Sequence, residues 1–261
     1  MRGIRDVFAV ISVVLACLGT AAAQGSPPTS DRDTRRLFQR FIEDAVVVPG
    51  GWVEGQFSYR NLPDDDDLYN LDALIAFHAG TNVEAGLRFG YVNFDASPGP
   101  DGSGLSDIDL YGKYVFPGGR NRLALGGLVK LPTADEDKGL GTGEPDLEAF
   151  GAWRGNFEGV TVAANAGIRL NGNPDSQTRS SKDSALVGAG LILPVTPASS
   201  IVIEWSFETK RFEGDSNDSR LTPGFQMMFR GGKGGLRAAV GLPLSDGAPD
   251  YQGIFGVYFT Y

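Results

Sequence analysis

The sequence predicts an all-β fold, a transmembrane antiparallel up-and-down β-barrel of about twelve strands, and three observations carry that expectation. From Gly51 to Tyr261, apolar residues alternate with polar or small ones at period two, in segment after segment. No segment after Ala23 approaches the roughly 20 apolar residues that a membrane-spanning helix needs. The links between segments alternate between short ones and longer, acidic ones.

The first element, residues 1–23, reads as an export signal. Arg2 and Arg5 give it a basic start, Val7 to Leu18 an apolar core, and Ala21-Ala22-Ala23 a small-residue cleavage site before Gln24. The run ending at Cys17 loosely resembles a lipoprotein site, but Leu15 is uncommon there and the alanine site follows directly. Cys17 is the single cysteine, so cleavage after Ala23 leaves a mature chain without a thiol, which excludes disulfides, thiolate catalysis and cysteine metal sites. Cleavage also removes two of 23 basic and one of 32 acidic residues, moving the formal net charge from −9 to −10, a balance that argues against nucleic-acid binding.

Residues 24–49 read as a periplasmic N-terminal linker and helix. Pro27, Pro28 and the charges between Asp31 and Arg36 suit a linker, while Leu37, Phe38, Phe41, Ile42 and Ala45 recur at helical spacing before Pro49. The expectation is a short helix or a partial plug, and not a first strand.

Residues 50–261 carry the barrel. The first segment sets Val53, Gly55, Phe57 and Tyr59 against Glu54, Gln56, Ser58 and Arg60. The next faces are Leu71 to Phe77, Val83 to Tyr91, Ile108 to Tyr114, Leu123 to Leu131 and Leu147 to Trp153. Six more follow at Val160 to Ile168, Ala185 to Leu193, Ile201 to Phe207, Leu221 to Phe229, Leu236 to Leu242 and Tyr251 to Tyr261. An even number of ten-residue segments suits a bacterial outer-membrane barrel.

Alternation alone also fits a soluble sandwich or lipocalin-like barrel, and the links decide between them. Short links near Ala79, Pro117, Arg154, Pro194 and Gly231 alternate with longer ones near Asn61, Asp95, Pro132, Asn171, Glu213 and Ser245. That asymmetry belongs to outer-membrane barrels, with both termini on the short-turn, periplasmic side. Soluble barrels turn their apolar face inward, whereas here the opposite face carries Glu, Asp, Arg and Lys, so the apolar face must meet lipid. Trp52, Phe116, Trp153, Phe229 and Tyr261 at short-turn ends, with Tyr59, Tyr69, Tyr91 and Tyr251 at long-loop ends, suggest two aromatic girdles.

The inward parity nominates Glu54, Asp72, Arg88, Asp109, Lys113 and Glu148 as lumen-lining residues, all on the first six strands. The later strands offer Ala163, Asn165, Gly188, Gly190, Ser206, Gln226, Ala239 and Gly256, so one wall reads as charged and the other as small or neutral. Two readings stand side by side: an amphipathic conduit that aligns a solute, or acids and bases that pair across strands to fill the interior, for instance Arg88 with Asp109. With acidic clusters such as Asp64 to Asp67 and Asp135 to Asp137 on the rim, a conduit is expected to favour cations or neutral solutes. No Asp/Asn/Gly spacing of a dedicated calcium loop accompanies those clusters, so they read as a solvated rim facing lipopolysaccharide, and no cofactor or metal site is indicated.

The segment Val48-Pro49-Gly50-Gly51-Trp52-Val53-Glu54-Gly55 resembles the opening of the barrel family named for the MetA-pathway of phenol degradation. Asp107 to Tyr114, Lys130-Leu131-Pro132-Thr133, and Gly139 to Gly143 before Pro145-Asp146 strengthen the resemblance, which spans nearly all of the mature chain. These are barrel-geometry and loop residues, not catalytic ones. The resemblance implies a barrel of this size that lets small, often aromatic or amphipathic, solutes cross the outer membrane, and it transfers no binding residue. The ending Phe255, Val257, Phe259, Tyr261 resembles the C-terminal strand signal read by the barrel-assembly machinery.

Two other classes remain. A structural barrel without transport is compatible with every residue above. A membrane-embedded lipid hydrolase, for which outer-membrane phospholipase A is the comparison, needs a serine and histidine facing lipid. His78 is the single histidine, and its parity turns it inward near the short-turn end.

Overall fold

The computed structural model describes residues 34–48, 50–62, 66–95, 101–173 and 180–261. The export signal at residues 1–23 and the linker up to residue 33 lie outside the described residues, as do Asp64 and Asp65 of the acidic rim. Thirteen strand segments follow in chain order: β1 (Gly51–Asn61), β2 (Asp67–His78), β3 (Val83–Asp95), β4 (Gly102–Leu105), β5 (Ile108–Val115), β6 (Asn121–Leu131) and β7 (Asp146–Phe157). The remainder are β8 (Val160–Leu170), β9 (Ser184–Thr196), β10 (Ser199–Glu208), β11 (Asp218–Met228), β12 (Gly234–Pro243) and β13 (Tyr251–Thr260).

Sequence neighbours pair antiparallel, and β1 pairs with both β2 and β13, so the sheet closes on itself and has no free edge. β4 and β5 both pair with β3 and together form one stave, which makes a closed barrel of twelve staves. Between the pairs Arg88↔Asp109 and Tyr91↔Leu105 the β3 strand advances by three residues and its partner by four. The extra residue is a bulge, and it flips side-chain parity. Leu105 therefore points outward, 67% exposed, while Asp107 and Asp109 point inward and meet basic residues there.

The outer surface is the apolar face. Leu71 and Leu125 are 61% and 59% exposed, whereas Glu54, Glu84, Glu148 and Glu204 on the opposite parity are buried. Such a surface in water would be strongly unfavourable, and in lipid it is the expected exterior of a spanning barrel. The links at 79–82, 116–120, 158–159, 197–198 and 229–233 hold two to five residues, and those at the other end five to fourteen. In one of the two shortest, Glu158 and Gly159 both have positive φ, 50° and 91°, the signs of a type I′ hairpin turn.

Two expectations are corrected. Residues 34–48 form turns and bends, with no helix among them. The reason lies in where their backbone bonds go: the N–H groups of Phe38, Gln39 and Arg40 all donate to the Glu204 carboxylate, and the carbonyls of Ile42 and Asp44 accept from Lys113 Nζ. Barrel side chains have replaced the intrahelical ladder. Second, Trp52 is no girdle residue. It shares the inward parity of Glu54, is fully buried, and stacks on Tyr258 with ring centroids 4.1 Å apart. At the long-loop end Tyr59 does cluster with Tyr69 and Tyr251, at 4.9 and 5.2 Å.

Candidate functional site

The lumen is occupied by the chain's own residues 34–48. Leu37, Phe38, Phe41, Ile42, Ala45, Val46 and Val48 are all buried, and so are Arg36, Arg40, Glu43 and Asp44. The segment rises along one wall and descends along the other. Thr34 O accepts from Gln226 Nε2 near the short-turn end of β11, and Phe38 reaches Glu204 at mid-height of β10. Arg40 reaches the carbonyl of Phe207 on β10. Asp44 then meets Arg154 on β7, and the Val48 N–H donates to Glu84 on β3, again in the short-turn half. The apex, Gln39 to Glu43, is the floor of the space above.

The rising limb sits on the wall of small residues. A Cβ added at Gly190 would collide with Leu37, one added at Gly224 with Phe38, and one at Gly188 would lie 3.0 Å from Arg40 Cγ. The small residues of β9 and β11 are the seat of this segment, not a smooth slide for a solute. Nor is that wall uncharged. Glu204 collects the three N–H bonds at 2.6 to 2.9 Å, and Arg237 donates to Glu54 at 2.9 Å and to the carbonyls of Arg36 and Leu37. Neither residue stood among the sequence candidates. Their parity marks them, Glu204 between Ile203 and Trp205 and Arg237 between Leu236 and Ala238, yet nothing local signals a partner more than 160 residues away.

Charge ties the descending limb to the start of the rising one. Glu84 accepts from Arg36 through both oxygens, from Lys113 at 3.1 Å, from Tyr111 Oη at 3.2 Å and from the Val48 N–H at 3.2 Å. Arg154 donates to Asp44 at 2.6 Å. The Arg36 guanidinium lies 4.3 Å from the Phe41 ring centroid and that of Arg237 4.5 Å from Phe38, contacts worth about 0.5–2 kcal/mol each. Deletion of one partner of such a buried pair costs about 3–5 kcal/mol, because the other charge is left without compensation.

Of the six sequence candidates, Glu54 and Lys113 belong to this clamp, paired to Arg237 and Glu84. Asp72, Arg88 and Asp109 line the space above it, with Arg88 donating Nε to Asp109 at 2.9 Å. Glu148 is buried near the long-loop end, where Arg169 donates to it at 2.7 and 3.0 Å.

Above the segment lies a vestibule of two joined cavities, about 420 and 250 Å³. Its lining holds seven basic and six acidic side chains. The expected carboxylate excess is therefore absent here, because Arg60, Arg169, Arg211 and Arg220 point inward together with the acids. On the rim Lys182 pairs with Glu213 at 2.8 Å, and its hydrogen bond and charge hold that carboxyl below the usual range. Among the described residues no cluster of His, Cys, Asp or Glu has the geometry of a metal site.

A closed transmembrane barrel with a folded segment in its lumen and a charged vestibule above defines the class. The chain belongs to the family described as Putative MetA-pathway of phenol degradation, whose model matches residues 56–261. That match begins after the lumen segment. No curated protein matches the chain. Among solved structures it is similar to the COG4313 outer membrane channel from Pseudomonas putida F1, with a TM-score of 0.66 at 15% identity over 81% of this chain and 94% of that one. It is also similar to the KdgM porin, solved in complex with disordered oligogalacturonate, with a TM-score of 0.54 at 9% identity over 80% of this chain and 99% of that one. At these identities the likeness is one of fold.

Proposed function

We propose that the protein is an outer-membrane channel for small, aromatic or amphipathic solutes, closed at rest by residues 34–48. The observation that carries this reading is the way the lumen is filled. An inert barrel interior could be packed by wall side chains alone, whereas here a separate covalent segment occupies it and leaves a polar, solute-sized vestibule above it. The chain would be exported by the signal at residues 1–23, inserted through the strand ending at Tyr261, and surrounded by lipid and lipopolysaccharide. No enzymatic role is assigned. One observation favours a structural barrel instead: the segment is tied to the wall by several buried ion pairs, which suits permanent closure.

Planar-bilayer recording of the full mature chain separates the two readings. A gated channel should show transitions between a low and a higher conductance, and silence at all voltages would leave the structural barrel standing. Orientation is tested on intact cells with a membrane-impermeant maleimide. A cysteine placed at Asp246 in a long loop should be labelled and one at Lys233 in a short turn spared, and the reverse pattern would invert the topology.

A further inference from the structure

The two vestibule cavities share four lining residues, Gln39, Arg60, Arg88 and Arg220, so guanidiniums from β1, β3 and β11 face one junction. Arg88 is bonded to Asp109 yet its side chain remains 46% exposed. Arg220 is held by Asp218 and donates to Gln252 at 2.9 Å. One terminal nitrogen of Arg60 reaches the Asn70 side-chain oxygen at 2.8 Å, its Nε is closed off from solvent without a hydrogen-bond partner, as are those of Arg40 and Arg211 in the same lining, and it lies between the repulsive fields of Arg220 and Arg88 and the attractive ones of Asp72 and Asp218.

Asp109 and Asp218 hold Arg88 and Arg220, yet in the larger cavity five basic side chains face only three carboxylates, an imbalance in a partly desolvated space that an incoming anion would relieve. Guanidinium forks match a planar carboxylate in a bidentate manner. Beside them the same cavity offers apolar surface from Phe38 on the lumen segment and Ile254 on β13. We infer that the junction is a binding site for a small carboxylate with an apolar body, its carboxylate on Arg60, Arg88 and Arg220 and its body against Phe38 and Ile254. The inference deepens the proposed function, since it rests on reading the vestibule as a solute pocket. It also places the ligand in contact with Gln39 and Phe38, the residues that would have to move for passage.

The test is calorimetric titration of the full mature chain with benzoate, and with benzamide as its uncharged counterpart, at low salt. Benzoate should bind saturably and benzamide should not. Arg60→Gln and Arg220→Gln should each weaken benzoate binding about tenfold or more. The thermal midpoint of Arg60→Gln should stay near that of the parent protein, the check that lost binding is not lost folding. Equal uptake of benzamide, or unchanged affinity in both variants, would overturn the site. A protein that binds benzoate but passes no current upholds the site and refutes transport, whereas current without saturable benzoate binding refutes the site alone.

Discussion

Removal of residues 34–48 should raise the single-channel conductance severalfold and abolish gating while leaving the barrel assembled. The segment contributes none of the strand pairings, which run without interruption from β1 through β13 and back to β1. Every backbone bond that a spanning barrel must satisfy in lipid therefore survives the deletion. The wall charges that the segment leaves behind, Glu84, Lys113, Arg154, Glu204 and Arg237, would face a water-filled lumen where solvation replaces the lost partners. The measurement is a planar-bilayer recording at fixed ionic strength, with gel mobility of unheated samples as the check on folding. An unchanged conductance in a folded deletion variant would show that the segment does not close the pore.

Glu84→Gln should have the second-largest effect. This one carboxylate accepts from Arg36, Lys113, Tyr111 and the Val48 N–H, and so joins both ends of the segment to the wall. Loss of its charge leaves two cations side by side in a buried site, at a cost of about 3–5 kcal/mol borne by the docking of the segment. Open probability should rise, and proteases should cut residues 34–48 more readily. Pairing Glu84→Gln with Arg36→Met should restore part of the closure, since the stranded charge is then gone, and strictly additive effects of the two substitutions would contradict the clamp.

The barrel itself was legible in the sequence because a strand's face is decided by parity, a property of the strand alone. The same rule places Trp52 on the side of Glu54, so nearness to a strand end does not by itself make an aromatic residue part of a girdle. The bulge at β4 and β5 was not legible, since one extra residue leaves the composition of the stave unchanged. The lumen segment was half legible. Leu37, Phe38, Phe41, Ile42 and Ala45 announce an apolar surface that must be buried, but their spacing suits a helix as well as a loop pressed against two walls. What settles the matter is long-range: Glu204 and Lys113 take the backbone bonds that a helix would have made for itself. The bonds that tie the segment to the wall join residues between 36 and 201 positions apart, beyond the reach of any local pattern.

Residues 34 and 48 both lie toward the short-turn mouth, so the segment is a bight and not a thread. It can withdraw as a slack loop, still moored to β1 at Gly51, and find the same wall again on return. If the segment opens the pore as proposed, its release would be a local unfolding event set by the clamp, on the microsecond-to-second scale of such openings, and independent of the slow rearrangements that an unpaired strand would demand. The staves of the barrel never need to part.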